Sequence, residues 1–164
     1  MKKEIRIQYN TYSSSGELDD VSKDLLSSAQ QCMQKAYAVY SGFYVGAALL
    51  LDNGEVITGN NQENIAFPSS MCAERVALYF CKANFPNAKV MKIAIAARSS
   101  EGVLYDSITP CGACRQVMSE YERIQNENMQ VILKAEAGEI LVFDSVTNLL
   151  PLAFESETIN RKNK

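Results

Sequence analysis

The 164-residue chain contains no histidine. That excludes a Ser-His-Asp triad, a Cys-His dyad and an imidazole general base. Any metal must therefore be held by Cys, Asp or Glu. No run approaches the ~18 consecutive apolar residues of a membrane span, so no membrane partner is expected. Met1-Lys2-Lys3-Glu4-Ile5-Arg6 has no apolar stretch behind its charges, so no signal peptide is expected either. A basic excess is also missing. Sixteen Lys and Arg stand against 19 Asp and Glu, a net charge of −3, which speaks against a nucleic-acid partner. No internal repeat and no linker rich in Pro, Gly or Ser divides the chain. The hydrophobic fraction of 47% and charged fraction of 21% are those of a folded globular protein and exclude a disordered one. One domain is expected over residues 19–156, with an N-terminal extension at 1–18 and a polar tail at 157–164.

The five cysteines are Cys32, Cys72, Cys81, Cys111 and Cys114. An odd number in a chain of this size points away from a disulfide framework and towards a reducing, cytoplasmic setting. There, closely spaced cysteines more often bind metal or do thiol chemistry.

Apolar residues at helical spacing predict a helix from Asp19 to about Tyr40, with Asp19 and Asp20 at its positive end. Val45–Leu51 reads as a strand, Asp52-Asn53-Gly54-Glu55 as a hairpin turn, and Val56–Thr58 as the return strand. Helices are predicted over 71–84 and 111–124. Strands are predicted over 90–97, 129–133 and 140–143, and a short last helix over 144–150 is stopped by Pro151. Residues 5–9 form a possible extra strand. The alternation predicts an α/β fold, a three-layer α/β/α sandwich around a mixed five-stranded sheet.

Three cysteines stand where chemistry is expected. Cys111-Gly112-Ala113-Cys114 follows Pro110 at a helix start, so the i, i+3 spacing places two sulfurs on one face. Cys72 opens the preceding helix, with Glu74 two residues on. Helix N-termini carry partial positive charge and favour thiolates. If the two ends converge, three thiolates and one carboxylate meet. Three thiolates leave zinc one open tetrahedral position, the mark of a catalytic site. Cys81 lies nine residues beyond Cys72 on the same helix, about 13 Å along the axis, too far to close the shell. Cys32 sits on an apolar stripe and reads as core. Zinc with three thiolates is net negative, so a cation is expected nearby. Arg75 and Arg115 are the candidates, and Glu74 is the carboxylate placed to take a proton from water.

Cys72-Ala73-Glu74-Arg75 together with Pro110-Cys111-Gly112-Ala113-Cys114-Arg115-Gln116 resembles the signature of the small zinc-dependent cytidine deaminases. The resemblance runs from about residue 20 to 156. It includes Tyr40-Ser41-Gly42-Phe43-Tyr44-Val45-Gly46-Ala47-Ala48, Gly59-Asn60-Asn61-Gln62-Glu63-Asn64 and Leu149-Leu150-Pro151. Tyr44, Asn60, Phe67 and Leu152 depart from the residues common in that family.

The resemblance implies Zn2+ on Cys72, Cys111 and Cys114, with Glu74 as proton shuttle. It implies Asn61 and Glu63 on the ribose hydroxyls, Phe43 packed at the base and backbone contacts from Ala73. Arg75 would offset the sulfur charge, and Phe154 would reach a neighbouring subunit's site in a homotetramer. The implied reaction is hydrolytic deamination of cytidine and 2′-deoxycytidine, with Glu74 passing protons to ring N3 and to the leaving ammonia. The runner-up is deamination of another cytosine-bearing nucleoside, such as a nucleoside antibiotic. A polynucleotide editor fits the acidic balance poorly. A zinc-binding interaction module without catalysis is the reading from another class.

Overall fold

The computed structural model describes residues 1–104 and 108–155, and the structural statements below concern those residues. Ser156 and the predicted polar tail at 157–164 lie outside them. The strands are β1 (Asn10–Tyr12), β2 (Phe43–Leu51), β3 (Val56–Asn60), β4 (Val90–Ser99), β5 (Gln130–Lys134) and β6 (Ile140–Phe143). They form one sheet in the order β1-β6-β5-β4-β2-β3. Only β4 and β5 run parallel; every other neighbouring pair is antiparallel.

The sheet therefore has six strands where five were expected. The extra strand sits at Asn10–Tyr12 and not at 5–9, and it pairs with Val142, Leu141 and Ile140 of β6. Ile5 and Ile7 alternate as strand residues do, but they lie beyond the end of β6, where no partner continues. Both are about half exposed. Tyr9 stacks on Phe143 with ring centroids 5.1 Å apart, which fixes the segment to the sheet edge.

The helices are α1 (Asp20–Met33), α2 (Ala73–Asn84) and α3 (Gly112–Gln125). Helix α1 covers one face, where Leu25, Leu26, Ala29 and Met33 pack on Ala48, Ala94, Ala96 and Ile132. Helices α2 and α3 cover the other. There Ala77, Leu78, Cys81 and Met118 meet Leu49, Ile93, Ile95, Val131 and Leu133. Central strands covered on both faces read as nearly unbroken apolar runs, as β2 and β4 do. Two glycines let the helices approach. A Cβ on Gly46 would lie 2.1 Å from the Ala29 carbonyl oxygen, and one on Gly59 would lie 2.6 Å from the Ala77 nitrogen. Each helix can rest on the sheet backbone only because those positions carry no side chain.

Helix α1 stops at Met33, seven residues short of the expected end. The Tyr37 N–H donates to the Asn61 carbonyl (3.0 Å) and the Glu63 N–H donates to the Tyr37 carbonyl (2.9 Å). Tertiary pairing with the segment after β3 outcompetes helical periodicity there. The helix expected over 144–150 is only a 3₁₀ turn, Val146–Asn148. Its first N–H groups are taken by Ser145 and by Glu122 of α3, not by a growing helix.

Candidate functional site

Cys72 is the N-cap of α2 and Cys111 the N-cap of α3. Both helices lie on the same face of the sheet, and the Tyr121 hydroxyl of α3 donates to the Leu78 carbonyl of α2 at 2.8 Å. The packing brings the two N-termini together. Cys72 Sγ lies 4.0 Å from Cys111 Sγ, Cys111 Sγ lies 3.4 Å from Cys114 Sγ, and all three sulfurs fall within 4.8 Å of one another. Tetrahedral zinc with bonds of about 2.3 Å sets its sulfurs about 3.8 Å apart. The trio fits that spacing. Cys81 is buried in the core and is not part of the cluster. Cys32 is only half-buried, and its carbonyl accepts from Asn60 Nδ2 at 3.1 Å.

The two candidate cations separate cleanly. Arg115 is committed to the loop before α3 and to the end of the 3₁₀ turn Val146–Asn148. It donates to the Pro110 carbonyl (2.7 Å), the Leu149 carbonyl (2.9 Å) and the Thr109 hydroxyl (2.7 Å). Arg75 turns to the sulfurs, with Nη2 3.6 Å from Cys72 Sγ. Its Nε is buried without a hydrogen-bond partner among the described residues, as suits a guanidinium serving a charge cluster. The Cys72 thiol is pulled down to about 5, first by its hydrogen bond with Cys114 and then by the Arg75 guanidinium. The Cys114 thiol is pushed up by that same contact and by burial. A soft, electron-rich trio beside a fixed cation is a donor set suited to zinc.

Glu74 is 5% exposed. Burial raises its carboxyl above the ordinary range, and the charge of Cys72 adds to the shift. A buried carboxyl beside a prospective metal centre is suited to holding and returning a proton.

A cavity of about 480 Å³ opens from the sulfurs. Phe43, Asn61, Glu63, Cys72, Glu74, Arg75 and Cys111 all line it. Three expected site residues do not line it. Cys114 is fully buried in the first turn of α3, its sulfur 3.4 Å from that of Cys111. Ala73 is fully buried at the start of α2 and is not among the lining residues. Phe154 is 72% exposed and lies outside the cavity, and its backbone is clasped by Gln116 through hydrogen bonds of 3.1 and 2.9 Å.

The far end of the cavity is a polar clasp. Asn61 Oδ1 accepts from the Val45 N–H and Asn61 Nδ2 donates to the Phe43 carbonyl, each at 2.8 Å. The amide thus extends the strand ladder past the end of β3. Glu63 accepts from the Tyr40 N–H at 2.7 Å, from the Ser41 N–H at 3.3 Å and from the Ser41 hydroxyl. Ser41 and Ile108 also line the cavity, and neither was singled out from the sequence. The signal for Ser41 was its place in Tyr40-Ser41-Gly42-Phe43. Nothing marked Ile108.

Residues 20–129 match the family model described as the cytidine and deoxycytidylate deaminase zinc-binding region. The chain is 38% identical over 141 residues to a cytidine deaminase of Sporosarcina psychrophila, covering 86% of this chain and 96% of that protein. It is 40% identical over 137 residues to a cytidine deaminase of Halalkalibacterium halodurans, covering 83% and 96%. The crystal structure of a cytidine deaminase from Burkholderia pseudomallei superposes with a TM-score of 0.68 at 37% identity, covering 80% of this chain and 97% of that one.

Proposed function

The chain belongs to the zinc-binding cytidine and deoxycytidylate deaminase family, and from that premise we propose that it hydrolyses cytidine and 2′-deoxycytidine to uridine and 2′-deoxyuridine, releasing ammonia. The observation that carries the reading is Glu74, buried in the cavity wall that also holds Cys72 and Cys111 of the three-sulfur cluster.

Cys72, Cys111 and Cys114 would hold the ion. Zinc bound there supplies Lewis acidity that makes hydroxide available near neutral pH. Glu74 takes the proton from the attacking water and hands it to ring N3 as C4 is attacked. It then carries a second proton to the 4-amino group, which leaves as ammonia. Arg75 offsets the sulfur charge. Phe43 packs at the base, and Asn61 and Glu63 receive the sugar hydroxyls. The acidic clasp suits a neutral nucleoside better than a phosphorylated one.

We further propose a cytoplasmic homotetramer in which Phe154 reaches a neighbour's cavity. The five unpaired cysteines support a reducing compartment, and the exposed Phe154 and Leu152 side chains support a covered surface. No helix among the described residues is long and apolar enough to cross a membrane.

The test follows the near-ultraviolet absorbance of cytidine as its 4-amino group is lost. Zinc-replete protein is expected to turn over. Glu74→Gln is expected to keep zinc and lose about 10²–10⁴-fold in kcat. Stoichiometric zinc with no turnover of either nucleoside would overturn the reading.

A further inference from the structure

Ser41 stands before β2 and Glu63 after β3, yet the hairpin brings them to one end of the cavity. The Ser41 hydroxyl is used in both directions. It donates to Glu63 Oε1 and accepts from the Phe43 N–H at 3.0 Å. The other carboxylate oxygen, Oε2, is held by the backbone N–H groups of Tyr40 and Ser41. The Phe43 peptide is in turn gripped at its carbonyl by Asn61. A serine hydroxyl has one donor, and here it is spent on Glu63, so Ser41 has no proton left to offer a ligand. A carboxylate has about four acceptor sites. Three are filled, which leaves Glu63 oriented and still able to accept.

We propose that Ser41 is a positioning residue for sugar recognition: its hydroxyl locks the Glu63 carboxylate to the Phe43 backbone, so that the group meeting the sugar and the ring meeting the base are set as one unit. The inference rests on the reading that Glu63 accepts nucleoside hydroxyls. Holding one rotamer in advance removes the ordering penalty that a free glutamate side chain would face on binding. Loss of the Ser41 hydroxyl frees Oε1 and should weaken ground-state binding without touching the proton chemistry at Glu74.

The experiment measures kcat and KM for the wild type, Ser41→Ala and Ser41→Thr, on cytidine and on 2′,3′-dideoxycytidine. Thermal melts verify folding. Ser41→Ala is expected to raise KM for cytidine about tenfold with kcat nearly unchanged, and Ser41→Thr to restore it. On dideoxycytidine, wild type and Ser41→Ala should share one KM. In a Glu63→Gln background, Ser41→Ala should add nothing. An unchanged cytidine KM overturns the proposal. So does a gap that persists on dideoxycytidine or in the Glu63→Gln background, because Ser41 would then act on loop structure alone. If Ser41→Ala does not fold, Ser41→Cys carries the same comparison, since its thiol keeps the volume and weakens the hydrogen bond. A wild-type protein inactive on cytidine sinks the deaminase reading first. Activity with no Ser41 effect sinks only this inference.

Discussion

The three α-helices among the described residues begin in two different ways. Helix α1 starts on Asp19, whose side chain accepts from the Ser22 N–H at 2.8 Å and from the Ser22 hydroxyl at 2.6 Å. Helices α2 and α3 start on Cys72 and Cys111, and neither side chain makes a capping hydrogen bond. The first is an ordinary stabilising cap. The other two lack that side-chain cap and turn sulfur towards one another instead. Helix α3 shows the same contrast along its own length. Near its far end, Glu122 gathers the N–H groups of Met129 (2.8 Å) and Val146 (2.9 Å) and the hydroxyl of Ser145 (2.7 Å). Local stability is given up at the ends that face the cavity and made good elsewhere, as expected of a functional site.

That contrast can be broken most forcefully at Cys111. Cys111→Ser removes a thiolate and supplies a capping hydroxyl. Zinc stoichiometry and turnover should both collapse. The metal-free protein should gain about 1 kcal/mol, seen as a melting temperature higher by about 2–4 °C. A metal-free variant no more stable than its parent would show that the cysteine cap is not a sacrifice. Chelation of the wild type should abolish turnover, and added zinc should restore it. An enzyme still active after verified metal removal would contradict the metal centre.

Glu122→Ala tests the other end of α3. It removes the acceptor of four donors, the Met129 and Val146 N–H groups and the Ser145 and Thr147 hydroxyls, so it should lower unfolding free energy by about 3 kcal/mol in denaturant titration. The retained turnover of the folded fraction should match the wild type. A loss below about 1 kcal/mol would mean that water replaces the carboxylate readily.

Asp19→Ala should have the smallest effect, about 1 kcal/mol. Its pH signature sharpens the point. Asp19 is held down to about 2 by its hydrogen bonds to Ser22, with help from Lys92. A lowered folded-state pKa means stability present above the unfolded value of about 3.9 and lost as pH falls through about 2. The stability difference between wild type and Asp19→Ala should therefore be flat from pH 7 to about 5 and shrink between about 4 and 2. A difference that holds down to pH 2 would locate the cap's effect in packing.

Much of the architecture was legible because it is local. Helix α1 announces itself through its acidic first residues and apolar stripe, and β2 and β4 through unbroken apolar runs. The end of α1 was not legible, because Tyr37 leaves the helix to pair with Asn61 and Glu63, which are more than twenty residues away. The edge strand was misplaced for a similar reason. The alternation in residues 5–9 is real, but the partner needed to make it a strand ends with Phe143.

Sequence alone determined the chemistry on offer. With no histidine, the spacing of Cys72, Glu74, Cys111 and Cys114 at two helix starts left few alternatives, because donor type and helical geometry are properties of short segments. Tertiary structure decided how those groups are tuned. It assigned Arg75 to the sulfurs and Arg115 to the loop, and it buried Glu74. It also tied Glu63 to Ser41 across the hairpin. Each of these depends on which distant backbone comes within about 3 Å, and that distance is set by how helices and strands pack on both faces of the sheet.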